Sequence, residues 1–152
     1  MEKKLEKKLK KKLENKLKKK LQIAQNKIIR FILSMEPRSH IGADQFDALG
    51  MLDVKGRVSQ LRFNHAFKIY NNSSPEYLSH QFTKVSSVHN YGTRGSRYNF
   101  HQPMIKGQAA NTFYANAIKD WNNLPVSIKQ ISQRNVFKKA VKSYLSSTLR
   151  DH

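Results

Sequence analysis

Residues 113–145 read FYANAIKDWNNLPVSIKQISQRNVFKKAVKSYL, and this stretch decides the fold. It contains the only Trp of the chain, Trp121, at the end of a run whose apolar residues are spaced three and four apart. Such spacing predicts a helix, which we place at residues 108–122. Leu124 and Pro125 lead into a further turn of helix, because proline suits a first helical turn and cannot continue the preceding one.

A second helix is predicted at residues 133–149, after Ser132, a residue type that caps helix N-termini. Its apolar residues form one stripe, which consists of Val136, Phe137, Ala140, Val141, Tyr144, Leu145 and Leu149. A stripe of this kind faces a core. We expect Trp121 to lie in that core with Phe113, Phe137 and Leu145.

The same helix carries a basic face. Arg134, Lys138 and Lys142 recur at every fourth place, so they lie side by side, and Lys139 adjoins them. Two interpretations stay open: the face is either solvated surface or a contact for phosphates.

Upstream, the spacing of apolar residues predicts further helices. The first, residues 22–35, enters a core with Ile23, Ala24, Ile28, Ile29, Phe31, Ile32, Leu33 and Met35. The others are residues 45–49, capped by Asp44 and ended by Gly50; residues 54–71, capped by Asp53; and residues 75–81, led by Pro75. Pro37 is expected to end the first helix, and the helix at 54–71, apolar on more than one face, is the predicted central helix.

Residues 1–21 are predicted to form a Lys/Leu-rich helical extension, which differs in composition from the helical domain predicted at residues 22–152. We expect this extension and the helix after it to form one long N-terminal helix. The leucines of the extension recur at every fourth place, at Leu5, Leu9, Leu13, Leu17 and Leu21. A four-residue step advances about 400° around an α-helix, so the leucines drift by roughly 40° each time and form no straight coiled-coil seam. Three roles stay open: a solvated extension, an arm lying on phosphates, or a helix on an anionic membrane surface.

The charge distribution points to a polyanionic partner. The chain holds 29 Lys and Arg against 10 Asp and Glu, a net charge of +19. Residues 1–22 hold eleven Lys against three Glu, and residues 84–152 hold eleven basic residues against two acidic ones. Nucleic acid is the first candidate for a partner, and it would be met at these two flanks.

A long loop at residues 83–106 separates the predicted helices, with at most short extended pieces at 98–101 and 104–106. Cations and rings alternate along it, at Lys84, Tyr91, Arg94, Arg97, Tyr98, Phe100 and Lys106. Single-stranded nucleic acid is held by such pairs, because cations neutralise phosphates and bases stack on rings. The alternative is that the rings tether the loop to the core.

Several kinds of chemistry are disfavoured. The chain contains no Cys, which excludes disulfides and thiolate zinc sites. It has no paired Asp residues of the kind that hold two catalytic metal ions, and its His residues lack chelating spacing. No run approaches the roughly 20 apolar residues of a membrane span, and no secretory signal is recognisable. We therefore expect a non-enzymatic intracellular protein, in the nucleus or cytoplasm, that needs no cofactor or metal.

A set of motifs spans about residues 21–149, and its most specific part is Trp121-Asn122-x-Leu124-Pro125 followed by the Phe137-Lys138 helix. These motifs resemble the C-terminal region of non-LTR (LINE-type) retrotransposon reverse transcriptases. Further matching positions are Leu21-Gln22, Gln25-Asn26, Arg30, Pro37 to Ile41, Ser74 to Leu78, His89 to Tyr91, Thr93-Arg94, Asn99, Gly107, Phe113, Ile128 and Tyr144-Leu145. The family often has Tyr and then Gly where this chain has Ala115 and Ala117.

The resemblance implies a mainly helical segment that follows the polymerase palm and thumb and holds template RNA or target DNA. Together with the charge pattern, it predicts a non-catalytic, sequence-nonspecific remnant that binds RNA or single-stranded DNA. The alternative is a structural fragment that docks on a polymerase core, has no ligand of its own and self-associates when that core is missing.

Overall fold

The computed structural model describes residues 2–88, 96–102, 104 and 112–150 of the chain. The described part is mainly α, as the sequence predicts. Its helices are α1 (Glu2–Ile32), α2 (Ala43–Ala48), α3 (Val54–Tyr70), α4 (Glu76–Ser79), α5 (Val85–Val88), α6 (Phe113–Asn123), α7 (Val126–Lys129) and α8 (Arg134–Arg150), with a 3-10 turn at Ser96–Tyr98. One isolated antiparallel bridge, between Lys84 and Phe100, is the only β pairing among the described residues.

The chain divides into two compact units. Unit 1 comprises Met1–Arg57 with Thr148–His152, and unit 2 comprises Val58–Ser147. Helix α1 runs without a break through the compositional boundary between residues 21 and 22. The Lys/Leu-rich extension and the segment after it therefore form one helix, as predicted.

Helix α1 ends before the predicted proline. Ser34 adopts a left-handed backbone with φ of 50°, and the Met35 amide donates to the Arg30 carbonyl at 2.8 Å. This closure satisfies carbonyls of the last turn without Pro37. The prediction that Pro37 ends the helix is thus wrong, because the left-handed residue has already turned the chain away.

Two of the predicted caps, Asp53 and Asp44, have different outcomes. The Asp53 Oδ1 accepts from the Gly56 amide at 2.7 Å, which confirms Asp53 as the cap of α3. Asp44 was expected to cap α2, but the N-cap is Gly42, and Asp44 lies in the first turn. The Gln45 side chain instead reaches back to accept from the Gly42 amide at 2.8 Å. Gly50 follows α2 with φ of 56°, a conformation that glycine adopts without steric cost.

The core of unit 1 is small. It consists of the buried side chains of Ile29, Ile41 and Phe46, with Leu33, Met35, Leu49 and Met51 packed against them. The other apolar residues of the first predicted core helix, which are Ile23, Ala24, Ile28, Phe31 and Ile32, are exposed. Their predicted burial is wrong, because unit 1 covers only the face of α1 that includes Ile29.

The core of unit 2 is larger and rich in aromatic rings. Its buried side chains are Phe63, Ala66, Phe67, Ile69, Phe100, Ile118, Trp121, Leu124, Phe137 and Val141. Phe67 stacks on Phe137 at 4.2 Å between ring centroids, and Trp121 lies 5.9 Å from Phe137. From Val58 onward Leu61 is the only exposed residue of α3, so the prediction of a central helix is confirmed.

Two residues expected in this core lie at its edge. Phe113 is 51% exposed and meets the His65 ring edge-on at 5.3 Å, since it occupies the first turn of α6. Val136 is 47% exposed, because it lies at the margin of the apolar stripe of α8 while Phe137 and Val141 occupy its centre. Helix α6 also begins later than predicted, at Phe113, where the Thr112 hydroxyl accepts from the Ala115 amide at 3.3 Å. The predicted helical residues 108–111 lie outside the described residues.

Candidate nucleic-acid interface

The predicted basic and aromatic loop begins with a short, well-fixed backbone pairing. The Val85 amide donates to the Asn99 carbonyl at 3.0 Å, and the His101 amide donates to the Thr83 carbonyl at 2.7 Å. These bonds place α5 beside residues 96–101. The structure thus finds a helical turn, α5, where the sequence predicts loop, and only a bridge where it predicts an extended piece.

Trp121 and Asn122 at the end of α6 hold the same segment from the other side. The Trp121 Nε1 donates to the Tyr98 carbonyl at 2.8 Å. The Asn122 amide bonds both backbone groups of Phe100: its Oδ1 accepts from the amide at 2.9 Å and its Nδ2 donates to the carbonyl at 2.8 Å. The Asn122 side chain therefore satisfies both backbone groups of Phe100, as a neighbouring β-strand would.

A buried amine completes this arrangement. Lys129 is 5% exposed, and its Nζ donates to the Asn99 Oδ1 and to the Asn122 carbonyl, each at 2.8 Å. Burial lowers the pKa of Lys129, because the charged amine loses water. The Asn122 carbonyl belongs to the last turn of α6, where an amine is favoured by the helix dipole. We call Trp121, Asn122 and Lys129 the clamp.

The sequence did not single out Asn122 or Lys129 for this role. Asn122 was visible as part of the Trp-Asn-x-Leu-Pro motif, which marked the position without revealing what the amide bonds. Nothing in the sequence indicated that Lys129 is buried, since a lysine at the end of a short helix is usually solvated.

Phe100 cannot stack on a base in this structure. Its side chain is 1% exposed and lies in the core, 5.7 Å from the Trp121 ring and 5.1 Å from the Phe82 ring. The prediction that Phe100 binds nucleic acid is therefore wrong. Phe100 tethers the segment to the core, which is the alternative interpretation of the loop rings.

The structure brings Lys84, Arg97 and Tyr98 to one region beside Tyr70. The Lys84 Nζ lies 4.6 Å from the centroid of the Tyr70 ring, and the Tyr70 hydroxyl donates to the Arg97 carbonyl at 3.4 Å. Burial raises the pKa of Tyr70, and Tyr98 raises it further, while Arg97 opposes them. The Arg97 side chain is exposed, and Tyr98 is half-buried with its hydroxyl accepting from Gln130 at 3.3 Å. We call Lys84, Arg97 and Tyr98 the loop platform.

Three of the predicted residues, Tyr91, Arg94 and Lys106, lie outside the described residues. The other three predicted cations lie on α8. Arg134 and Lys142 are exposed, Lys138 is half-buried, and together they span about 12 Å of helix at 1.5 Å per residue. Within the described part of the chain, no carboxylate pairs with Arg97 or with these three residues. We call Arg134, Lys138 and Lys142 the α8 basic face.

Two acidic groups of unit 2 are engaged in ordinary structural contacts. Asp120 accepts from Arg62 at 2.9 Å, and Glu76 lies 3.7 Å from the His80 ring. Across the described ranges, no three His, Asp or Glu side chains gather closely enough to hold a metal ion. Within the same ranges, no helix has the length and apolar content needed to cross a bilayer.

Comparison with protein-family models, with curated proteins and with solved structures finds no match to this chain.

Proposed function

We propose that this chain is a non-catalytic protein that binds RNA or single-stranded DNA without sequence preference, and that it derives from the C-terminal region of a retroelement reverse transcriptase. The origin rests on the resemblance of its motifs. The binding rests on the charge pattern and on the contacts of unit 2.

The observation that carries the proposal is the exposure of cations on a backbone held by the clamp. Because Trp121, Asn122 and Lys129 fix residues 98–100, the exposed Arg97 and the half-buried Tyr98 need little further ordering to meet a ligand. Arg97 and the α8 basic face have no described carboxylate to neutralise them. A phosphate backbone supplies the missing negative charge, and Tyr98 offers a ring beside it.

Salt dependence tests the electrostatic part. For a single-stranded ligand, log K falls with log salt by about 0.7 for each phosphate neutralised. The triple variant R134Q/K138Q/K142Q should therefore bind labelled oligouridine more weakly and reduce the slope by about 2 units. The control K27Q/R38Q/K55Q removes the same charge from exposed residues of unit 1 and should leave the slope near the wild-type value.

Tyr98 tests the stacking part. A base stacked on an aromatic side chain contributes roughly 1–3 kcal/mol, so Tyr98→Ala should weaken oligouridine binding by about fivefold or more. Tyr77→Ala removes a ring that is 75% exposed elsewhere in unit 2 and should leave affinity unchanged. The proposal is overturned if the wild-type protein binds no nucleic acid at low salt, or if it shows nuclease or polymerase turnover.

A second candidate is docking on a polymerase core without any ligand. It is favoured by the exposure of Leu61, Phe113 and Val136 in unit 2, which a partner could cover. Size measurement with and without RNA distinguishes the two. A monomer that shifts with RNA supports binding, whereas an oligomer indifferent to RNA supports docking.

A further inference from the structure

Helix α1 carries an apolar surface that the rest of unit 1 leaves uncovered. From Leu13 onward its exposed apolar residues, apart from Ile23 on another side of the helix, are Leu13, Leu17, Leu21, Ala24, Ile28, Phe31 and Ile32. At roughly 100° of rotation per residue, these seven fall within an arc about 100° wide. They extend for about 28 Å along the helix at 1.5 Å per residue. We call this surface the outer stripe.

A different face of α1 is already used inside unit 1. The Gln25 Nε2 donates to the Leu52 carbonyl at 2.8 Å, and the Gln22 Oε1 accepts from the Val54 amide at 3.0 Å. Ile29, on the same face, is fully buried. The helix is thus held by one face, and the outer stripe remains open, with Phe31 86% exposed at its C-terminal end.

The cations of this part of α1 all lie outside the outer stripe. They are Lys12, Lys16, Lys18, Lys19, Lys20, Lys27 and Arg30. The one acidic residue at the margin of the arc, Glu14, is paired with Lys18 at 2.6 Å. Lys20 and Lys27 lie within about 40° of one edge of the arc, so their long side chains can extend from the apolar surface toward negative charge.

We propose that α1 lies in the interface of an anionic membrane, with the outer stripe at the acyl-chain boundary and the lysines on the headgroup phosphates. A basic polar face beside a Leu, Ile and Phe face is the pattern of helices that lie on bilayers. Each lysine near an anionic leaflet adds electrostatic attraction. This is a surface contact, distinct from a membrane span.

A second copy of the chain fits this surface less well. Two α1 helices packed antiparallel through their outer stripes would bring Lys20 and Lys27 against the same lysines of the other copy, since both lie at one edge of the stripe. The stripe is also wider than the two-residue seam of a coiled coil. A lipid surface covers the full arc and meets the flanking cations with negative charge.

A matched pair of isoleucines tests the proposal in the full-length protein. Ile28, 55% exposed, lies on the outer stripe, whereas Ile23, 56% exposed, lies about 140° away on the lysine side of the same helix. Binding to phosphatidylcholine vesicles with and without phosphatidylserine is measured by co-sedimentation. We expect binding that needs phosphatidylserine, a loss of about tenfold in Ile28→Ser, and little change in Ile23→Ser.

The variants keep every charge, so oligouridine binding should be the same in all three proteins. That readout separates failure of this proposal from failure of nucleic-acid binding. Equal loss in the two variants, or equal binding to vesicles without phosphatidylserine, overturns the proposal. So does dimerisation that Ile28→Ser abolishes, or capture of a synthetic Glu-rich amphipathic peptide by a protein that ignores vesicles.

Discussion

Units 1 and 2 are stabilised in different ways. Unit 2 buries ten side chains in one cluster, and five of them are aromatic, with rings packed on one another. Unit 1 buries three side chains in its cluster and relies on side chains that bond the backbone, such as Gln25 on Leu52 and the Arg30 Nε on the Ser39 carbonyl at 2.8 Å. The burial of one aromatic side chain contributes more free energy to stability than one such hydrogen bond does.

The two surfaces therefore differ in how firmly they are held. The loop platform of unit 2 sits on a large core and is fixed by the clamp. The outer stripe of unit 1 sits on a long helix with few buried contacts, so its apolar side chains are available to a partner.

Trp121→Ala should strongly destabilise unit 2. The change leaves a cavity in the aromatic cluster and removes the bond from Nε1 to the Tyr98 carbonyl, so the free energy of unfolding should fall by about 4 kcal/mol. Phe31→Ala, in unit 1, truncates another large ring, but that ring is 86% exposed, and its effect should stay within about 0.5 kcal/mol. Urea denaturation measures both, and similar losses would contradict the contrast.

Asn122→Ala should release residues 98–100 from the core of unit 2. The Phe100 amide and carbonyl lose their partner, which should cost about 2–3 kcal/mol if both stay buried. Hydrogen exchange of the Phe100 amide should accelerate strongly. The neighbouring Asn123→Ala is the control, since Asn123 is exposed. Unchanged exchange in Asn122→Ala would show that other contacts hold the segment.

Gly56→Ala in unit 1 tests the helix cap formed by Asp53 and not a hydrophobic core. Alanine should gain about 1 kcal/mol over glycine within a helix. A Cβ at Gly56, however, would lie 2.8 Å from the Asp53 Oδ1 that caps α3, so the gain should be offset by loss of the cap.

A double-mutant cycle isolates this effect. In an Asp53→Ala background, where the cap is already lost, Gly56→Ala should stabilise by about 1 kcal/mol. Equal effects of Gly56→Ala in both backgrounds would show that the carboxylate moves aside at no cost.

His65 should make the stability of unit 2 weakly dependent on pH. Burial between rings lowers the pKa of His65 from 6.5, and Lys68 lowers it further. Well above pH 6.5 the ring is neutral in both the folded and the unfolded state. As pH falls below 6.5 the unfolded chain takes up the proton first, so the free energy of unfolding falls until pH passes the folded pKa.

The expected loss is a fraction of a kcal/mol, because the ring is partly exposed and solvent screens it. Urea denaturation on both sides of pH 6.5 should show this loss of unfolding free energy in the wild type. The same loss should occur in His40→Gln, a control in which an exposed histidine is replaced. His65→Gln should remove it. A loss that persists in His65→Gln would assign the dependence to other groups.

Much of the fold could be predicted from local sequence. The spacing around Trp121 and Phe137 predicted a buried ring and a helix with an apolar stripe, and both are confirmed. Asp53 was predictable as a cap because the bond from its carboxylate to the Gly56 amide spans only three residues. Ser34 was not predictable as a helix end, since a left-handed serine is uncommon and carries no pattern.

The candidate site was predicted less completely. Sequence spacing placed Lys84, Arg97 and Tyr98 in one loop, but it could not tell an exposed ring from a buried one. Phe100 follows Tyr98 by two residues and has the same aromatic character, yet only the packing of Phe82 and Trp121 around it decides that it is a tether.

The helical periodicity, the capping of α3 and the positive charge of the two flanks are set by local sequence, because these features depend on neighbours within a few residues. Which apolar residues are covered depends instead on packing between distant segments. Ile28 and Ile29 are adjacent and equally apolar, but one is exposed and the other fully buried. Burial is a property of distant residues brought close, and chain-neighbour spacing does not contain it.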